Sequence, residues 1–168
     1  MRKALDALYD SAAALAALFM IGLLAMVLTS ILGRQLHFNV PGIDAYAGYM
    51  MAATGFLALA HTLKKGEHIR VTLLLNAAKG APRRWLERWA MGAGAALALL
   101  FAVFSVRLAW QSHEFNDMST SNDATPLWIP QLAMAVGAVV FAIAAVDEFF
   151  IEWRGRAPKA DAEMLRHE

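Results

Sequence analysis

The chain has 168 residues, of which 59% are hydrophobic and 17% are charged, against about 25% charged residues in an ordinary soluble domain. Fifteen Lys and Arg nearly balance fourteen Asp and Glu, which argues against general nucleic-acid binding, and the lack of cysteine excludes disulfides and thiolate metal sites. The charges are spread unevenly, and the gaps between them indicate the class of protein.

Four charge-free stretches are long enough to cross a bilayer. A membrane helix needs about 20 mostly apolar residues, and these stretches have 23, 19, 18 and 23 residues: 11–33, 45–63, 89–106 and 124–146. Backbone groups in lipid must be satisfied within the segment, which favours helices. We therefore predict an all-α integral membrane protein with one four-helix domain over 1–154. Its spans lie at about 11–33, 44–63, 85–110 and 126–150, and 155–168 form a polar tail.

The first two spans are joined by a short turn. Arg34 follows span one, Pro41-Gly42 is a turn signal, and Asp44 opens span two. Arg34 and Asp44 are candidates to pair with each other across this hairpin. Within span two, Gly48 and Ala52 form a pair of small residues four apart, which permits close helix approach in lipid.

The loop after span two contains a short amphipathic segment. Lys64 and Lys65 precede it, and residues 67–79 place polar groups on one side at helical spacing: His68, Thr72, Asn76 and Lys79. Such a segment is too short to span and is typical of a helix lying in the interface plane. A loop packed on the spans is the alternative.

Spans three and four are bounded by aromatic residues and small-residue patterns. Trp85, Trp89 and Trp110 bracket span three, as expected for rings that prefer the headgroup layer. Gly94 gives this span a thin flank, and Gly137 does the same in span four. Thr125 followed by Pro126 predicts a helix N-cap with proline at the first helical position.

The basic residues predict the orientation. Thirteen of the fifteen fall at the N-terminus, in the loop between spans two and three, or at the C-terminus, and only Arg34 and Arg107 fall on the other side. The positive-inside rule therefore predicts that both termini are cytoplasmic.

The span centres lack ionisable residues, which usually mark ion or proton pathways. His61 and His113 lie at opposite ends of the membrane and do not suit a shared haem. No P-loop motif occurs. We predict no catalytic residue, no metal site and no cofactor in this chain.

The stretch 66–71 (GEHIRV) resembles the G-x-H-I-R-V signature of the small membrane subunit of tripartite ATP-independent periplasmic (TRAP) transporters. Arg34, the segment 126–137 and the four-span pattern are also similar to this family. Two positions depart from it: Thr72 stands where the family often has Asp, and Asp44 is alone where an acidic pair is common.

The resemblance implies a non-catalytic multi-pass subunit of the bacterial inner membrane. Such a subunit scaffolds a large elevator-type subunit that takes up an organic acid by sodium symport, after delivery by a periplasmic binding protein. Sodium coupling is expected in the partner subunit. The alternative is a four-helix anchor or redox subunit with haem or quinone, and a third possibility is an independent small exporter.

The candidate contact residues fall into three groups. Small residues are expected to face the partner's helices, charged residues after spans one and three to meet the binding protein, and the basic loop with its in-plane helix to bind anionic lipid. The first group is Gly48, Gly94 and Gly137. The second includes Arg34, Asp44, Glu114 and Asp117. The third includes Lys64, Lys65, His68, Arg70, Arg83 and Arg84.

Overall fold

Four long helices make up the computed structural model, which describes residues 2–38, 40–65, 81–121 and 124–153. They are α1 (Arg2–Leu36), α2 (Ile43–Lys64), α3 (Ala81–Glu114) and α4 (Trp128–Trp153), and the described part has no β-strand. Each helix is long and apolar enough to cross a membrane, which confirms the predicted all-helical, four-span class. The predicted in-plane helix at 67–79 and the tail at 155–168 lie outside the described residues.

The helices are longer than the charge-free stretches that revealed them. α1 and α3 have 35 and 34 residues, or about 50 Å at 1.5 Å per residue, against about 30 Å of hydrocarbon. The additional turns carry charges, including Asp6 and Asp10 in α1 and Arg88 in α3. A helix leaving the hydrocarbon can continue through charged residues because its backbone hydrogen bonds do not depend on the side chains.

The predicted start of the fourth helix is wrong. α4 begins at Trp128, and Pro126 instead forms an isolated antiparallel bridge with Met118. The Leu127 N–H donates to the carbonyl of Asp117 at 2.9 Å, and the Thr125 hydroxyl donates to Tyr46 rather than capping a helix. Thr125 and Pro126, which the sequence pattern assigned to a helix start, therefore make contacts of the loop instead.

The four helices are arranged as a row in the order α1, α2, α4, α3. α2 packs against α1 and α4, α4 packs against α2 and α3, and α1 meets α4 only slightly. α1 and α2 are antiparallel, since Ser30 contacts Asp44 and Asp6 contacts Lys64. We call the end with the α1–α2 turn the hairpin end, and the end where α1 begins and α2 ends the terminal end.

The contacts between helices are made mainly by alanine. Of the sixteen buried hydrophobic residues in the described part of the chain, twelve are Ala. In α3 the buried residues recur every three or four positions and form one stripe: Ala95, Ala98, Ala102, Ser105, Ala109 and Ser112. Ala98 and Ala102 pack against Ala138 and Ala142 of α4. Because these side chains are small, the helices approach closely, and the large apolar side chains remain on the outside of the row.

Candidate functional site

The hairpin end is built on a tight turn between α1 and α2. The Phe38 N–H donates to the carbonyl of Gly33 at 3.0 Å, and His37 adopts a left-handed conformation with φ 59°. A Cβ on Gly33 would lie 2.7 Å from the Phe38 carbonyl oxygen, so only glycine fits at this position. Gly42, with φ 77°, directly precedes α2.

A polar cavity of about 350 Å³ opens beside this turn. It contains both charged residues that the sequence predicted at this end, Arg34 and Asp44. No ion pair joins them in the described part of the chain. Asp44 Oδ1 instead accepts a hydrogen bond from Ser30 Oγ at 3.2 Å. The turn therefore brings the two predicted residues together in one cavity without pairing them.

Two tyrosines hold the loop after α3 against α2. Tyr49 Oη donates to Ser119 Oγ at 3.0 Å, and Thr125 Oγ1 donates to Tyr46 Oη at 3.3 Å. Within the loop, the Ser119 N–H donates to the Thr125 carbonyl at 2.8 Å. This arrangement was not predicted from the sequence. The nearest signal was the position of both tyrosines at the start of span two, opposite a Ser- and Thr-rich loop.

Charged side chains meet at the terminal end. Lys64 forms an ion pair with Asp6, and its Nζ lies 4.7 Å from the centroid of the Tyr9 ring. His61 Nδ1 lies 3.6 Å from Asp10 Oδ1. Lys64, predicted to attract lipid, is thus engaged within the chain, whereas the next residue, Lys65, forms no ion pair within the described residues.

The structure describes the other residues predicted to contact lipid only in part. Arg83 and Arg84 lie in the first turn of α3, but their side chains are outside the described residues, as are His68 and Arg70 altogether. The neighbouring Arg88 is described, and its guanidinium lies 5.4 Å from the Trp153 ring centroid, a cation–π contact between α3 and α4.

The three candidate glycines divide into two environments. A Cβ added at Gly48 or Gly94 would meet nothing within 4 Å, so both positions face outward. A Cβ on Gly137 would lie 2.6 Å from the carbonyl carbon and oxygen of Phe56. Gly137 is therefore used in the α2–α4 contact inside the chain, which corrects its assignment to a partner interface.

The described residues contain no group of three or more His, Asp or Glu side chains placed to hold a metal ion. His113, at the end of α3, packs edge-on against Trp128 with ring centroids 5.1 Å apart. In the described residues, the two ends of the helix row are therefore polar and its faces are apolar.

Comparison with known proteins identifies one family. The sequence model described as "Tripartite ATP-independent periplasmic transporters, DctQ component" matches residues 23–155, which is more than half of the chain. These residues include the second part of α1, from Leu23 onward, and all of α2, α3 and α4. No curated protein matches the sequence.

Proposed function

The chain belongs to the DctQ component family of tripartite ATP-independent periplasmic transporters, whose members are small membrane subunits, and from this premise we propose that it scaffolds a larger transporting subunit. The observation that carries this proposal is the row of four helices with an alanine core. A row leaves two broad faces uncovered, and the charge-free span centres offer no polar pathway for a solute.

The surface that best suits a partner helix runs along α2. Gly48, Met51, Ala52 and Gly55 are exposed and lie on one side of this helix, at the i, i+3, i+4, i+7 positions. A Cβ added at Gly55, like one at Gly48, would meet nothing within 4 Å. Small residues on an exposed membrane helix allow a second backbone to approach closely. We call these four residues the α2 strip.

Gly94, which lies in α3, adds to the surface formed by the α2 strip. It lies seven residues before Phe101 and so on the same helical face, and the Phe101 ring stacks on Phe56 of α2 with centroids 5.8 Å apart. By contrast, the exposed residues of α1 include many large apolar side chains, among them Leu18, Ile21 and Leu24. We therefore assign α1 to fluid lipid and the α2 strip, with the Gly94 face, to the large subunit.

The charge distribution supports an orientation for this complex. With thirteen of fifteen basic residues grouped at the terminal end or in the segments attached to it, we place that end in the cytoplasm and the protein in the inner membrane. The hairpin end then faces the periplasm. Glu114 and Asp117, which close α3 and begin its loop, are available there to a soluble binding protein that delivers an organic acid. Sodium coupling belongs to the large subunit.

Co-purification tests the scaffold role. The tagged chain, co-expressed with its genomic neighbours and extracted in mild detergent, is expected to recover a large multi-span protein. Gly48→Leu is expected to reduce that recovery several-fold because the added side chain separates the helices. Ala17→Leu, at an exposed position of α1, is the matched control. Recovery of the chain alone, or a haem absorption band in the purified protein, would contradict the proposal.

A further inference from the structure

Few of the residues that line the cavity at the hairpin end are charged. Eleven described residues line it, and only Arg34 and Asp44 among them carry charge. The remaining polar side chains are hydroxyls, from Thr29, Ser30 and Ser121. The cavity therefore offers one cation and one carboxylate, which face a common space and form no ion pair with each other.

Asp44 and Arg34 differ in the interactions that they already form within the chain. Asp44 accepts one hydrogen bond, from Ser30 Oγ, and a carboxylate can accept several. Arg34 forms no ion pair within the described residues, and its guanidinium carries five N–H donors in a planar fork. That fork matches the oxygens of a phosphate, and the spare carboxylate oxygen matches an ammonium group.

The depth of the cavity in the membrane limits what reaches it. Arg34 directly follows the charge-free stretch 11–33, and Asp44 directly precedes the stretch 45–63, so both lie at the level of the lipid headgroups. The rim is apolar and exposed, since Phe38 and Val40, which line the cavity, are 44% and 41% exposed. A polar cavity with an apolar rim at this depth suits a molecule with a charged head and an apolar chain.

We propose that this cavity binds the headgroup of an ethanolamine phospholipid, with the phosphate against Arg34 and the ammonium against Asp44. The acyl chains lie along the apolar rim. A volume of about 350 Å³ is within the range of small-ligand pockets, about 300–1,000 Å³. The site depends on this chain and its membrane depth, and it does not depend on the large subunit.

The proposal predicts a selectivity among phospholipids. A glycerol headgroup has no ammonium and leaves Asp44 facing a net negative lipid. A choline headgroup has a cation that cannot donate a hydrogen bond, because its nitrogen carries three methyl groups. Of these three headgroups, only ethanolamine satisfies both Arg34 and Asp44 with hydrogen-bonded charge pairs.

Native mass spectrometry tests this directly. The full chain, with whatever subunit it retains, is equilibrated with equal amounts of dioleoyl phosphatidylethanolamine, phosphatidylcholine and phosphatidylglycerol. The wild type is expected to retain the ethanolamine lipid about tenfold over the other two, as expected for one charge-assisted hydrogen bond. R34Q is expected to lower retention of all three, and D44N to remove the preference for ethanolamine over choline.

R107Q is the matched control, because Arg107 is an exposed arginine of α3 outside the cavity. All variants are compared at equal helical content by circular dichroism, so that loss of lipid is separated from loss of fold. Equal retention of the three lipids by the wild type would overturn the proposal. So would an R34Q profile equal to that of R107Q, or displacement of the lipid by inorganic phosphate alone.

Discussion

Gly137 of α4 lies directly against the backbone of Phe56 in α2. A Cβ built on Gly137 would come within 2.6 Å of the Phe56 carbonyl carbon and oxygen and 2.9 Å of its Cβ. Two of these atoms belong to the backbone and cannot rotate away. This contact brings the backbones of α2 and α4, the two central helices of the row, close together.

We expect Gly137→Ala to destabilise the chain by about 1–3 kcal/mol, the usual cost of forcing a methyl group into a packed contact. Gly94→Ala is the control, since a Cβ there meets nothing. The control is expected to be neutral or slightly stabilising because Ala is the better helix former. Thermal unfolding in detergent, followed by loss of the monodisperse peak on size exclusion, measures both. Equal midpoints for the two variants would show that α2 and α4 do not meet closely at Gly137.

The sequence predicts the spans well because a charge-free stretch of about 20 residues is typical of a membrane helix and of little else. It does not predict which helices are neighbours. Ala98 facing Ala142, and Gly137 facing Phe56, involve residues that occur on several sides of every span. With nearly all positions apolar, periodicity does not distinguish the packed face from the lipid face. For this reason Gly137 was predicted to face the partner and is found inside.

Local signals also fail where a loop competes with a helix. Thr125-Pro126 has the chemistry of a helix start, but the Met118–Pro126 bridge and the Thr125–Tyr46 hydrogen bond use these residues in the loop. Such contacts join positions up to 79 residues apart. The hairpin-end cavity is a second example. The sequence predicts that Arg34 and Asp44 lie near each other at this end. It does not predict that they share a cavity without forming an ion pair, because that depends on the geometry of the turn.

Tyr9 joins α1 to the rest of the row at the terminal end. It is 1% exposed and packs with Ala60 of α2 and with Val140 and Ala144 of α4. We expect Tyr9→Ala to destabilise the chain by about 3 kcal/mol or more, because it leaves a large cavity. Tyr9→Phe is expected to be neutral or slightly stabilising, since the phenol oxygen is buried and has no hydrogen-bond partner among the described residues.

The same unfolding assay measures the Tyr9 pair. If Tyr9→Phe lowered the stability as much as Tyr9→Ala, the Tyr9 hydroxyl would have a hydrogen-bond partner. The packing of the ring would then not be the sole source of the stabilisation.

The loop after α3 is expected to loosen when one of its hydrogen bonds to α2 is removed. Tyr49→Phe deletes the bond from Tyr49 Oη to Ser119 Oγ, worth about 1 kcal/mol. Hydrogen exchange at the Ser119 and Leu127 amides, which both bond within the loop, should then speed up by about fivefold. Tyr9→Phe, at the opposite end, serves as the control and should leave these rates unchanged. Unaltered exchange in Tyr49→Phe would mean that the loop is held by its internal bonds and the Thr125–Tyr46 hydrogen bond without help from Tyr49.

The Lys64–Asp6 ion pair is expected to add modestly to stability. The two side chains are 35% and 51% exposed, so the pair is worth at most about 1 kcal/mol. Lys64→Met should lower the unfolding midpoint slightly more than Lys65→Met, because Lys65 forms no ion pair within the described residues. The difference should shrink in high salt, which screens exposed charges. A difference that persists unchanged in high salt would assign the effect to the Lys64–Tyr9 ring contact instead.

Site-specific photocrosslinking in the membrane tests the scaffold role most directly. A photoreactive amino acid replaces Met51, the most exposed large side chain of the α2 strip at 67%, or Leu18 of α1, which is 62% exposed. We predict that the probe at Met51 captures a large multi-span membrane protein and that the probe at Leu18 captures lipid. Capture of that protein from Leu18 and not from Met51 would contradict the assigned face. Capture of no larger membrane protein from either position, with both variants folded, would contradict the scaffold role itself.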